Sequence, residues 1–252
     1  MKSILLYFVF IFSLHLAPQA QDVASLIKEA EKLELVPNEI GALLKYKEAL
    51  KIQYTNLQAL TKASELCSRI GKRQTNIKSQ EDFYVAAKLY AEAALKVSPT
   101  NSEANCVMAM SLGHLSMSKS NKEKIHTAKD LKKYIDLSLK DNPNNYKAWH
   151  VLGRWHYEIS NLNVFEKAAV KILFGGLPPA SIKQSIAAFE KAHAITKTGF
   201  VLNCLELARA YKKNGDKDKA IKILEYMLTM PNHTEDDPAL KVIGKKLLSE
   251  LK

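Results

Sequence analysis

Histidine and cysteine are the residues of this chain that could bind a metal or act as nucleophiles, but their spacing fits neither role. His150 and His156 are six residues apart, so they do not share a helix face and make a poor metal pair. No His-Glu-x-x-His or Cys-x-x-Cys segment is present, and Gly175-Gly176 lacks the following Lys-Ser or Lys-Thr of a nucleotide-binding loop. The sequence therefore predicts no catalytic residue, no metal and no cofactor, and it favours binding over enzyme catalysis.

Basic side chains offer a different chemistry, which is the binding of an acidic ligand. The chain has 252 residues and a formal net charge of +11, and Arg154 and Arg209 could each hold a carboxylate or a phosphate through a pair of N–H groups. The predicted ligand groove around them consists of Lys147, His150, Arg154, Leu202, Leu205, Arg209, Lys212 and Lys213. The alternative is that these are solvated side chains on a polar face, because lysine is common throughout the chain.

Two copies of one helical pattern would position these residues. Residues 149–156 follow the spacing W-x₂-L-G-x₂-H, and residues 204–211 follow C-x₂-L-A-x₂-Y. Both match the signature of the tetratricopeptide repeat, a pair of helices of about 34 residues. Side chains at these spacings share a helix face, so Trp149 and Leu152 are expected between the two helices of a pair. Gly153 is expected where the two helix backbones come close, because a larger side chain would force them apart.

The wider pattern predicts an all-α fold. It is a tetratricopeptide-like right-handed solenoid of four to five helix pairs over residues 22–252, ended by a C-terminal capping helix. Residues 77–83, 116–127 and 159–181 are predicted to be additional to the repeat, each between the first and second helix of a pair. Such insertions are expected along one rim of the array.

The longest insertion, residues 159–181, contains an amphipathic helix followed by a rigid turn at residues 175–179. Its predicted lid or rim residues are Phe165, Ile172, Phe174 and Leu177. Three interpretations are open. The apolar face packs over the rim as extra core, it forms a lid over the groove, or it contacts a membrane surface, since Lys167 and Lys171 flank it.

The amino terminus differs from the rest of the chain. Lys2 precedes an apolar run that ends near Leu16, and small residues follow at positions 17 and 20. This order predicts a secretory signal peptide over residues 1–20, and therefore a periplasmic or secreted protein. The alternative is a retained membrane anchor over residues 4–16, although the run is short for a bilayer span, which takes about 20 residues.

Four segments carry a resemblance to a known family: residues 149–157, 171–179, 187–192 and 230–237. From about residue 42 to residue 251 the chain resembles the regulator of microtubule dynamics family. The resemblance implies a helical repeat domain that binds partners and has no catalytic residues. It also implies that some animal members associate with microtubules, and that some act at membrane contact sites and bind phospholipid. With its leader, the chain resembles an exported bacterial relative.

The main functional hypothesis is an exported, non-enzymatic scaffold whose basic groove binds an acidic or amphipathic segment of a partner protein. The first alternative is a phospholipid-binding or lipid-transfer domain, with an anionic phospholipid in the groove. The second is a cytoplasmic microtubule-associated protein. Nucleic acid fits poorly, because the basic residues are not interleaved with aromatic ones.

Overall fold

The computed structural model describes residues 16–116, 120–196 and 199–252, and for residues 16–21, 121 and 174 it describes the backbone alone. Twelve helices and no strand are present in these ranges. The helices are α1 (Leu16–Leu35), α2 (Glu39–Ile52), α3 (Leu57–Lys72), α4 (Ile77–Val97), α5 (Ser102–Leu115), α6 (Asn121–Asp141), α7 (Tyr146–Asn161), α8 (Val164–Phe174), α9 (Ile182–Ile195), α10 (Val201–Asn214), α11 (Lys217–Thr229) and α12 (Asp237–Leu251).

The helices pack as pairs in chain order: α1 with α2, α3 with α4, α5 with α6, α7 with α9, and α10 with α11. The first helices of successive pairs also touch, α3 with α5, α5 with α7, and α7 with α10, while α12 packs against α10 and α11. Each pair covers apolar surface that its neighbour leaves open, which is how a repeat array builds a continuous core. This arrangement confirms the predicted all-α, tetratricopeptide-like solenoid with a C-terminal capping helix.

Asparagine begins the first helix of three pairs in the same way. The side chains of Asn56, Asn101 and Asn145 each accept a hydrogen bond of 3.0 Å from the backbone N–H three residues later. Each bond satisfies a backbone donor that the start of a helix leaves unpaired. The repeated cap fixes where α3, α5 and α7 begin, and therefore which of their side chains face the same side of the array.

Two of the three predicted insertions are parts of longer helices. Asn76 caps α4 through the N–H of Ser79 at 3.0 Å, so residues 77–83 are the first turns of that helix. Ser120 and Glu123 form a capping box at the start of α6, so most of the described part of residues 116–127 is also helical. The prediction was wrong here because the repeat signature marks where the two helices of a pair touch and does not mark where the second helix starts. Between α7 and α9, in contrast, α8 is a separate helix.

The pair formed by α7 and α9 shows the close approach that Gly153 predicts. A Cβ atom added to Gly153 would lie 2.6 Å from the ring of Phe189, which is fully buried. The more deeply buried tryptophan of α7 is Trp155, which is 4% exposed and donates its indole N–H to the carbonyl of Ala128 at 2.9 Å. Trp149 packs against the same core but is only half-buried.

The predicted leader, residues 1–20, and the alternative anchor, residues 4–16, fall mostly outside the described residues, which begin with α1 at Leu16. Across the described ranges, no helix combines the length and the apolar character that crossing a bilayer requires.

Candidate functional site

Two arginines that the groove prediction singled out meet on neighbouring first helices. Arg154 of α7 and Arg209 of α10 both contact the same oxygen, Oε1 of Glu206, at 2.9 and 2.8 Å. Glu206 is buried, whereas the side chains of Arg154 and Arg209 keep 43% and 38% of their surface exposed. The buried carboxylate therefore holds two partly exposed guanidinium groups next to each other. Sequence analysis missed Glu206, and its place three residues before Arg209 on one helix was the available signal.

The second contact of Arg154 is of a weaker kind. Arg154 donates to Glu158 at 3.0 Å, and 56% of the Glu158 side chain is exposed. An exposed ion pair between residues four apart on a helix contributes only about 0.3–0.5 kcal/mol. Glu158 is thus a carboxylate that another acid could replace at low cost, whereas Glu206 is fixed in the core.

An aromatic wall begins one turn before Arg154. His150 lies between the rings of Phe189 and Phe200, at 5.4 and 4.8 Å between ring centroids, and its Nδ1 is 3.0 Å from the side-chain oxygen of Asn203. Burial lowers the pKa of His150 to about 4, although Asn203 and Glu206 act to raise it. His150, which the sequence placed in the groove as a ligand contact, is therefore a buried neutral side chain that packs among aromatic rings and pairs with Asn203.

The pKa of a second histidine, His114 of α5, is also lowered by burial and by neighbouring cations. His114 stacks on Tyr84 with ring centroids 4.8 Å apart, and burial together with Lys72 and Arg154 lowers its pKa to about 4. Lys72 and Arg154 also act to lower the pKa of His150. Carboxylates oppose these cations, because Asp236 acts to raise the pKa of His114 and Glu206 acts to raise that of His150. The surface formed by α3, α5, α7 and α10 is called the concave side below.

The concave side is not generally basic, which corrects the predicted character of the groove. Lys147 contacts Glu65 at 2.7 Å and Glu103 at 3.2 Å, and 16% of its side chain is exposed. Burial alone would lower the pKa of Lys147, but the two glutamates raise it well above its ordinary value. Burial would likewise raise the pKa of Glu65, yet Lys147, Lys62 and Arg69 hold it well below the usual range. Lys147 is a structural partner of two carboxylates.

The remaining groove residues lie apart from the arginine pair. Leu205 is fully buried in the core, because α10 packs against helices on several sides, so the expectation that it faces a ligand is wrong. Leu202 is half-buried against the same core. Lys212 pairs with Glu250 of α12 at 3.1 Å, and Lys213 lies over the ring of Tyr157, 5.3 Å from its centroid.

The two ends of the array meet. The backbone N–H of Glu39, at the start of α2, donates to the carboxylate of Glu235 at 2.8 Å, and the N–H of Glu235 donates back to Glu39 at 3.3 Å. Arg73, which follows α3, contacts Glu39, Glu235 and Asp236 at 2.6, 3.1 and 3.1 Å. Arg69 also pairs with Glu39, which is fully buried. The segment before α12 thus contacts the start of α2 and the end of α3.

The insertion residues do not pack as extra core. Phe165 and Ile172 of α8 are 85% and 81% exposed, Leu177 is half-buried, and the side chain of Phe174 is not described. Val170 is the α8 residue buried against the body. The expectation that the apolar face of α8 covers the rim is therefore wrong, because that face points away from the repeats.

The described residues offer no other centre for chemistry. Cys67, Cys106 and Cys204 are buried and form no disulfide, and burial raises the pKa of the Cys67 thiol to about 11 and that of Cys204 to about 12. Thiols with raised pKa values are poor nucleophiles at neutral pH. Within the part of the chain that the structure describes, no group of three or more His, Cys, Asp and Glu side chains is placed to hold a metal ion.

Solved structures show the same fold. A thermophilic TPR protein of Thermus thermophilus superposes with a TM-score of 0.64 over 90% of this chain and 99% of the other, at 14% sequence identity. Identity this low supports a shared fold alone, which is the tetratricopeptide solenoid.

Curated relatives are animal proteins, and they overturn one prediction. Regulator of microtubule dynamics protein 3 of Xenopus laevis is 28% identical over 63% of this chain and 34% of its own length. Regulator of microtubule dynamics protein 2 of Homo sapiens is 24% identical over 71% of this chain and 43% of its own length. Microtubules are polymers of the cytoplasm, so these relatives contradict the expected export and the periplasmic or secreted location.

The family assignment rests on a match over most of the chain. The profile of the family described as "Regulator of microtubule dynamics protein 1-3" matches residues 26–252. The chain spans 34% of the length of the Xenopus laevis relative and 43% of the length of the Homo sapiens relative. The matched range includes all of the repeats from α2 to α12. By this match the chain belongs to the regulator of microtubule dynamics family.

Proposed function

We propose that this chain is a non-enzymatic repeat scaffold that binds an acidic segment of a partner protein at Arg154 and Arg209. The observation that carries the proposal is the convergence of both guanidinium groups on one oxygen of the buried Glu206. Two cations share one fixed carboxylate there, and both keep exposed surface from which further N–H groups can donate.

A partner carboxylate would take the position of Glu158. Glu158 is exposed and its pair with Arg154 is weak, so an acidic segment loses little by displacing it. Lys72, at the end of α3, keeps 43% of its side chain exposed and is 3.8 Å from Asp236, so a second negative charge of the partner would compete with Asp236 for it. The bound segment would therefore be acidic and would lie along the concave side from α10 toward α3.

The test is fluorescence anisotropy with a labelled peptide of alternating glutamate and leucine as the probe. Arg154→Gln and Arg209→Gln should each weaken binding about tenfold, because a hydrogen bond to a charged group contributes about 1.5–3 kcal/mol. Glu158→Gln should strengthen binding by a few fold. Lys212→Gln is the matched control, since it removes one positive charge from α10 outside the arginine pair.

The test is specific because Arg154→Gln and Glu158→Gln, two changes on the same helix, are expected to change the peptide affinity in opposite directions. General attraction to a protein of net charge +11 would weaken binding equally in Arg154→Gln and Lys212→Gln. That result, or no change in Glu158→Gln together with no loss in Arg209→Gln, would show that the site is elsewhere.

A contact with microtubules is the second candidate, and the names of the relatives favour it. Sedimentation of the purified chain with assembled microtubules tests it, with Arg154→Gln and Lys212→Gln as the informative pair. If Arg154→Gln reduces cosedimentation and Lys212→Gln does not, both candidate functions use the same site. A phospholipid in the groove stays a prediction; a phosphate would meet the same arginines, but Leu205, expected beside it, lies in the core.

A further inference from the structure

The helix α8 presents an apolar half to solvent. At 100° per residue, six of its side chains share half of the helix circumference. They are Val164, Phe165, Ala168, Ala169, Ile172 and Leu173, and all six are exposed. Val170 lies on the opposite half and is buried. Of the side chains of α8 that the structure describes, Val170 alone is buried, and the widest apolar face of the helix is turned to solvent.

Local interactions at both ends hold α8 in this orientation. Asn163 and Glu166 form a capping box at its start, with hydrogen bonds of 2.9 and 2.7 Å. Gly175 and Gly176 follow it with φ angles of 70° and 84°, values that glycine adopts without steric cost. An eleven-residue helix is marginal in water by itself, so these caps supply stability that burial does not. Its exposed face is thus part of a formed helix.

Lysines lie along one edge of this face and line a cavity next to the segment that follows α8. Lys167 and Lys171 of α8 are exposed beside the apolar half. Pro178, four residues beyond α8, lines a shallow cavity of about 400 Å³ on α6. The lysines of that cavity are Lys129, Lys132, Lys133 and Lys140. Among the described residues of α8 and the cavity wall, six lysines stand against two carboxylates, Asp136 and Glu166.

From this arrangement we infer that α8 and the lysine-lined face of α6 dock the chain on an anionic lipid membrane surface. An exposed amphipathic helix lies in the membrane interface when its apolar half enters the acyl boundary and flanking lysines reach the headgroups. The size of the patch favours a membrane over a protein. A helix about 16 Å long and one helix wide covers far less than the roughly 800 Å² per partner of a stable protein complex.

Vesicle cosedimentation with the full chain tests this inference. Wild-type protein should bind vesicles that contain phosphatidylserine at least tenfold more tightly than vesicles of phosphatidylcholine alone. Phe165→Ser combined with Ile172→Ser should weaken binding at least tenfold. Ile77→Ser combined with Val242→Ser is the matched control, because these two side chains are also mostly exposed, on α4 and α12. The control pair should bind like wild type.

A charge series completes the experiment. Lys167→Glu combined with Lys171→Glu should weaken binding to anionic vesicles more than Lys245→Glu combined with Lys246→Glu, which changes the net charge equally on exposed positions of α12. This assay contains vesicles and no peptide, so its failure is distinguishable from failure of the groove proposal. No wild-type binding, or equal loss in both apolar pairs, would overturn the inference. A dimer in light scattering that the Phe165 and Ile172 variants disperse would overturn it too, by assigning the face to a second copy of the chain.

Discussion

The concave side of the repeats buries charged side chains in pairs, whereas the insertion helix α8 leaves apolar side chains exposed to water. On the concave side, Lys147 and Glu65 are withdrawn from water and paired with each other at 2.7 Å. On α8, Phe165 and Ile172 are left in water. The two members of a buried ion pair lose their hydration on folding, and their mutual attraction offsets that loss. Removing one member is therefore costly. An exposed apolar side chain has nothing to lose in the free protein, so its value must come from a binding event.

The largest expected effect comes from breaking the buried pair. Lys147→Met should lower the free energy of unfolding by roughly 3–5 kcal/mol, because Glu65 and Glu103 lose their shared cation. Urea denaturation measures this loss. Lys167→Met on α8 is the control and should stay within about 0.5 kcal/mol of wild type.

The double variant Lys147→Met with Glu65→Leu separates pairing from packing. It should recover most of the lost stability, since it also removes the buried carboxylate that lost Lys147, while Arg69, the other partner of Glu65, keeps its pair with Glu39. A single variant within about 1 kcal/mol of wild type, or a double variant no better than the single one, would mean that water reaches the pair.

A smaller effect is expected from pH. His114 and His150 have pKa values of about 4 in the folded chain, against about 6.5 when unfolded. The unfolded state therefore binds more protons below pH 6.5, and stability falls as the pH drops from about 6.5 toward 4. The full loss is roughly 3 kcal/mol per histidine. Thermal unfolding across this window measures it, and His114→Phe should flatten the slope.

The smallest effect on stability is expected on α8. Phe165→Ser should change the free energy of unfolding by less than about 0.5 kcal/mol, because its side chain is 85% exposed and leaves no cavity when removed. Urea denaturation beside wild type is again the measurement. A loss above about 2 kcal/mol would show that the face of α8 is covered in the free protein, and the contrast with the concave side would disappear.

The repeat architecture could be predicted because its signals are local. Gly153 and the residues around it fix one helix pair by their spacing, and the structure confirms the close approach to Phe189. The character of the groove depends on contacts that spacing does not show. Lys147 and Glu65 are 82 residues apart, and Arg154 and Glu206 come from different repeats. The sequence shows the basic residues of the groove but not the carboxylates that pair with them in the folded chain.

The prediction of which side chains are buried and which are exposed failed for a related reason. Leu205 was assigned to the groove because the repeat signature gives α10 one buried face, but this helix is packed by α9, α11, α12 and α7 and is buried nearly all round. For α8 the amphipathic pattern was read correctly from the sequence. Its direction stayed open among three interpretations, because a pattern does not tell which side of a helix meets the body.

The clasp between Glu39, Arg73 and the segment before α12 changes how the array should come apart. An open solenoid has contacts between neighbouring repeats only, so its terminal repeats can fray one at a time. Here residues 196 positions apart in sequence are hydrogen-bonded, and neither terminal repeat can detach without breaking a contact with the other. The chain therefore has no free boundary at which unfolding starts cheaply. We expect loss of the first and last pairs to be coupled, with the cooperativity of a globular domain in place of stepwise melting.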